Sequence, residues 1–114
     1  MSDSGPPTGI QRPERMIVVI GGPDALVHAA RRVAALHTDA GVSTATVADA
    51  ANKAAEHRPL ALVLSTDLYA LDPAEFQALA RDVGAEVIVV ETDGLSPQKI
   101  ADALTPSIVK AAEA

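Results

Sequence analysis

Hydroxyl and carboxylate side chains follow short apolar segments at several points of this 114-residue chain. Ser65, Thr66 and Asp67 come directly after the apolar run 60–64. An aspartate at such a point can accept a phosphoryl group, clustered acids can hold a divalent cation, and paired glycines can turn a backbone around a phosphate. A ligand site would therefore be built from this group and from two others: Gly21, Gly22 and Asp24, and Glu91, Thr92 and Asp93.

Each of these chemistries lacks a part that it needs. The paired glycines are not followed by Gly-Lys-Ser/Thr, so they predict a tight turn, and Asp24 disfavours an anion beside them. A nucleophilic serine needs an adjacent base, but His28, His37 and His57 fall outside the loop that contains Ser65. The histidines have no metal-ligand spacing, and cysteine is absent. We therefore expect no catalytic residue, no metal and no cofactor.

Four apolar or β-branched segments predict β-strands. Two of them are unbroken apolar runs and a third has four apolar residues in a row after Glu86, which is typical of strands buried on both faces of a parallel sheet. The remaining one alternates apolar and polar residues and contains threonines, which suits a more exposed strand at an edge. The predicted strands are 16–20, 42–48 (the edge strand), 60–64 and 86–90.

Capping residues and apolar spacing predict helices between these strands. Gly41 is predicted to end the first helix. Asp72 caps the third, for which Leu71 and Phe76 occupy the positions of a hydrophobic staple. Pro106 predicts a break near the C-terminus, with a single kinked helix as the alternative. The predicted helices are about 23–38, 49–57, 72–84, 97–104 and 106–113.

Strands that alternate with helices predict an α/β fold in which parallel strands are joined by right-handed crossovers. We expect a flavodoxin-like three-layer sandwich, with a four-stranded parallel sheet of order 2-1-3-4 and helices on both faces. Residues 16–114 form this single domain. Residues 1–15 are polar and rich in proline and glycine, so we expect a disordered N-terminal tail.

The stretch 58–76 resembles the middle of a response-regulator receiver domain, and the likeness in pattern and spacing covers about residues 16–95. Receivers share this topology but have one more βα unit than this chain. Their third strand ends in the aspartate that accepts a phosphoryl group, and the resemblance puts Ser65 at that position. It puts Ile20 and Gly21 at the positions of the acidic pair that holds magnesium in the family.

The resemblance implies a degenerate, receiver-like domain that works without phosphorylation. The family needs a threonine or serine after its fourth strand, where Glu91 or Thr92 stands here, and a lysine at the end of a fifth strand, which is not evident. In an alternative register, Asp67 would be the phosphoacceptor and Asp24 a metal ligand, and phosphotransfer would survive.

Net charge and composition limit the classes of partner and the cellular location that we expect. A net charge of −6 disfavours nucleic acid and anionic membrane surfaces, which attract basic patches. The longest apolar run is too short to span a bilayer, and the N-terminus lacks the pattern of a signal peptide, so a cytoplasmic protein is expected. The predicted partner is another protein, bound through an open edge strand or the C-terminal helices, or a second copy of the chain.

These patterns lead to a non-catalytic protein-interaction domain that acts in signalling, regulation or assembly. One alternative is a flavodoxin-like domain that binds a nucleotide, a phosphate or another small molecule at Gly21–Gly22 and Ser65–Thr66. Another is an enzyme that uses Ser65 or the loop acids. The size, the topology and an opening strand followed by glycine are also similar to the small α/β stalk subunit of rotary ATPases.

Overall fold

A computed structural model of the chain describes residues 15–113. Strands and helices alternate along it, except that two helices follow the third strand. The elements are β1 (Met16–Ile20), α1 (Asp24–His37), β2 (Gly41–Ala45), α2 (Ala50–His57), β3 (Ala61–Ser65), α3 (Thr66–Leu71), α4 (Pro73–Val83), β4 (Glu86–Val90) and α5 (Pro97–Glu113).

The four strands form one parallel sheet of order β2-β1-β3-β4, as the sequence predicts. Val18 of β1 pairs with Ser43 on one side and with Leu62 on the other, and Leu62 in turn pairs with Val87. Helices pack on both faces, so the predicted flavodoxin-like α/β architecture is confirmed. Within residues 15–113 nothing pairs with the outer edges of β2 and β4.

The alternation of side chains along β1 and β3 divides the core into two layers. Ile17 and Val19 face α1 and α5, whereas Val18 and Ile20 face α2 and α4. All four are fully buried, which accounts for the unbroken apolar sequence of this strand. The edge strands β2 and β4 are more exposed, because each has one strand neighbour.

Several predicted boundaries are wrong. Gly41 does not end α1: the helix ends at His37, and the hydroxyl of its C-cap residue Thr38 donates to the carbonyl of Ala34 at 2.8 Å. Gly41 is instead the first residue of β2, opposite Met16. This strand stops at Ala45 rather than at residue 48.

The predicted tail lies outside the described residues, apart from Arg15. That residue donates hydrogen bonds to the Asp39 carboxylate and to the Ala112 carbonyl, which ties the start of β1 to the ends of α1 and α5. Arg15 is therefore attached to the folded domain. No helix between residues 15 and 113 has the length and apolar character needed to cross a membrane.

The predicted break at Pro106 is absent, and α5 is one continuous helix with Pro106 inside it. Its buried stripe continues across the proline and packs on α1 and β4. Packing therefore outweighs the local cost of proline, which cannot donate to the carbonyl of Asp102. The stripe consists of Ile100, Ala101, Leu104, Ile108 and Ala111.

Replacing Pro106 with alanine should raise the free energy of unfolding by about 1 to 3 kcal/mol, because it restores a main-chain donor within the helix at an exposed position. Urea denaturation measures this change. Pro97→Ala is the matched control, since proline is tolerated in the first turn of a helix. An equal effect of the two substitutions would contradict this account of α5.

Candidate functional site

Ser65 ends β3, where the resemblance puts the phosphoacceptor, but its hydroxyl has a structural partner. Its Oγ accepts a hydrogen bond from the backbone N–H of Leu68 at 3.2 Å, which makes Ser65 the N-cap of α3. The side chain is also nearly buried, with 8% of the residue exposed. The hydroxyl therefore stabilises a helix start, as serine commonly does.

The predicted loop 65–67 is wrong, because Thr66 and Asp67 form the first turn of α3. This helix has no counterpart in the predicted element order. It is joined to α4 by side chains: Gln77 donates to the Tyr69 hydroxyl at 2.9 Å, and the rings of Tyr69 and Phe76 stack with centroids 6.4 Å apart. These contacts use both aromatic residues of the chain.

The two positions at the end of β1 that the resemblance assigns to acids are poorly suited to carboxylates. Ile20 is fully buried in the layer that contains Val18, Leu62 and Leu64, where a carboxylate would lose its hydration. Gly21 has φ +73°, and a Cβ there would lie 2.9 Å from Cδ2 of Leu68. Both positions are therefore fixed by packing.

A shallow hollow of about 370 Å³, wide open to solvent, lies at the carboxyl ends of β1 and β3. The structure brings four of the predicted site residues together around it: Gly21, Gly22, Ser65 and Asp67. Its remaining walls are apolar and come from α3. Residues 15–113 contribute the Asp67 carboxylate and no basic side chain to this lining. A carboxylate of this kind repels phosphate, so the lining does not favour an anion.

The other predicted site residues do not line this hollow. Asp24 is exposed in the first turn of α1, and Thr66 is exposed on α3. Glu91 folds back on its own loop, where its Oε1 accepts from the backbone N–H groups of Thr92 and Asp93 at 3.1 and 3.2 Å. Glu91 therefore organises the turn that follows β4. Among residues 15–113, no three His, Cys, Asp or Glu side chains form a group that could hold a metal ion.

A second depression, which we call the α2–α4 groove, was not predicted. It has a volume of about 190 Å³ and opens beside the hollow, with which it shares Leu68 and Leu71. The sequence signal that marks it is the pair of apolar residues Val47 and Leu71 in segments that are otherwise polar or alanine-rich. The groove is lined by Val47, Ala48, Ala50, Ala51, Leu68, Leu71, Asp72, Glu75, Phe76 and Leu79.

One wall of the groove is held by a hydrogen-bonded turn between β2 and α2. Asp49 Oδ1 accepts from the backbone N–H and the hydroxyl of Thr46, at 2.9 and 2.7 Å, and the Thr46 Oγ1 accepts from the Asp49 N–H at 3.2 Å. The hydrogen bond from the Thr46 side chain is the main reason that the pKa of Asp49 lies below its ordinary value of 3.8. This turn fixes Val47 and Ala48 at the rim.

Removing the Ser65 cap should destabilise the fold. We expect Ser65→Ala to lower the free energy of unfolding by about 1 kcal/mol, because the Leu68 N–H loses its acceptor. Ser65→Thr is the control, since it keeps a hydroxyl at the same atom. Urea denaturation of both variants distinguishes the outcomes, and equal stability of the alanine and threonine variants would show that the cap contributes nothing.

Comparison of the chain with protein-family models, with curated proteins and with solved structures found no match.

Proposed function

We propose that this protein is a non-catalytic interaction domain with receiver-like architecture, which acts in signalling, regulation or assembly without being phosphorylated. The observation that carries the proposal is the use of Ser65 as the cap of α3. At the equivalent point a receiver needs a free carboxylate, a metal ion held by two acids, and donors for the phosphoryl oxygens. Here the neighbouring positions are a buried isoleucine and a left-handed glycine.

Protein partners would bind surfaces that the fold leaves open. The outer edge of β4 is one, because its backbone groups have no strand partner within residues 15–113 and Val89 is exposed beside them. An edge of this kind can pair with a strand from another protein or from a second copy of the chain. The exposed face of α5 is another such surface. Binding at either surface would not depend on phosphorylation or on a ligand in the hollow at the carboxyl ends of β1 and β3.

Neither the wild-type protein nor Ser65→Asp should take up a phosphoryl group from acetyl phosphate in the presence of Mg²⁺. Intact-mass spectrometry measures the transfer, and a receiver with the complete acid set serves as the positive control. Aspartate caps helices as well as serine, so the variant is expected to retain α3. Mg²⁺-dependent labelling of the wild type would overturn the proposal, and labelling at Asp67 would establish the alternative register.

A second candidate function is small-molecule binding in the hollow beside Gly22. The observation that favours it is the volume of about 370 Å³, which falls within the range of ligand sites. The lining favours a neutral or apolar molecule over a nucleotide or free phosphate, because Asp67 is the one charged residue that the described part of the chain contributes to it. This candidate predicts stabilisation by a ligand, whereas the interaction domain does not.

Under the interaction-domain proposal, neutral apolar compounds, nucleotides, flavins and inorganic phosphate at millimolar concentration should all leave the melting temperature unchanged. A ligand at a hundredfold excess over its Kd would add about 2.7 kcal/mol to the free energy of unfolding, which thermal-shift measurements detect. Gly22→Ala tests whether a ligand binds in the hollow, because it adds a methyl group to the lining. The added Cβ meets nothing closer than the Asp24 nitrogen at 3.9 Å, so the fold should tolerate it. Stabilisation that this variant reduces would favour the second candidate.

A further inference from the structure

Large apolar side chains are exposed at the rim of the α2–α4 groove. Leu71 is 78% exposed and Val47 is 53% exposed, on opposite sides of a floor that contains the buried Phe76. Leu71 occupies the staple position before α4, but this exposure shows that packing on Phe76 covers little of it. Clustered exposed apolar groups of this kind mark surfaces that bind a partner.

Much of the groove is formed by a strongly acidic segment of the chain, residues 66–93. Residues 66–93 contain seven acidic residues and one basic residue, a formal charge of −6, which equals that of the whole chain. Asp72 and Glu75 line the groove and Asp67 lines the adjoining hollow, and all three are exposed. Among residues 15–113, no basic residue lines either depression. An apolar floor is thus bordered by negative charge.

We propose that the α2–α4 groove is the docking site for an amphipathic helix of another protein, with an apolar face toward Leu71 and Val47 and lysine or arginine residues beside the acidic rim. This inference rests on the proposed function and gives the partner's chemistry. The apolar face of the partner helix would bury Leu71 and Val47, while its basic residues would set the orientation of the bound helix and the rate of association.

The walls of the groove favour a helix over an extended segment. They are formed mainly by α2, α3 and α4, in which most main-chain groups are hydrogen-bonded within the helices. A bound strand would therefore find few backbone partners there, whereas a helix brings its own hydrogen bonds. The volume of about 190 Å³ is below that of ordinary ligand pockets and suits anchoring side chains.

Charge also excludes the other common occupants. Two copies of this surface related by a two-fold axis would bring like charges together, which disfavours a symmetric dimer through the groove. An anionic lipid surface is repelled by the same acids. A basic helix is the occupant whose charge complements Asp67, Asp72 and Glu75.

The test uses the full chain and a fluorescent synthetic peptide with leucine and lysine at amphipathic helical spacing. A scrambled peptide of the same composition is the matched probe. We expect the helical peptide to bind at least about tenfold more tightly than the scrambled one in fluorescence anisotropy, and added salt to weaken its binding. Amide chemical-shift changes should concentrate at residues 47–51 and 68–79.

Leu71→Ser should weaken binding of the helical peptide by about tenfold or more, and Glu75→Gln should weaken it by a smaller factor. Each has a control on the same protein: Leu36→Ser removes a side chain that is 65% exposed on α1, and Asp82→Asn removes an exposed acid of α4 outside the groove. Neither control variant should change the affinity. All four positions are exposed, so folding should be retained.

Three outcomes would overturn the assignment of the groove as the docking site. They are equal binding of the two peptides, an equal effect of Leu36→Ser and Leu71→Ser on affinity, and chemical-shift changes confined to other surfaces. The assignment would also be overturned by sedimentation that shows a dimer dissociated by Leu71→Ser, since a second copy would then cover the groove. Failure of this inference differs from failure of the proposed function, because the latter is decided by phosphoryl transfer and by ligand stabilisation.

Discussion

Burial of β1 and β3 on both faces is the constraint on which the rest of this structure depends. Each of these strands presents apolar side chains in both directions, so each requires helices above and below it. α1 and α5 cover one face, and α2 and α4 cover the other. With both faces covered, the surfaces left for function are the sheet edges, the loops at the carboxyl ends of the strands and the seams between helices.

The sequence predicts this framework well, because the central strands and the helix caps have strong local signals. Ile17 to Ile20 is an unbroken β-branched and apolar run, and Asp72 accepts from the Glu75 N–H at 3.3 Å, as its position before Pro73 predicts. The failures occur where packing outweighs local preference. Pro106 is a strong breaker, but the buried stripe of α5 continues through it.

The candidate site is less predictable, because its side chains have more than one local role. A serine after a strand can face a ligand or can cap a helix, and nothing in residues 65–71 separates these outcomes, since six helical residues carry little periodicity. The groove escapes prediction for a different reason. Val47 and Leu71 are 24 positions apart in the sequence, and only the crossing of α2 and α3–α4 over the same face of the sheet brings them together.

The uneven charge of the chain has a consequence for the path by which a partner arrives. The negative charge is concentrated on α3, α4, β4 and the following loop, while Arg31 and Arg32 lie exposed on α1, across the sheet. The protein is therefore an electric dipole with a direction as well as a net charge. At physiological ionic strength this field decays over about 8 Å, so it rotates an incoming basic molecule during the last stage of diffusion. Orientation of a charged molecule by this field thus begins before any surfaces touch.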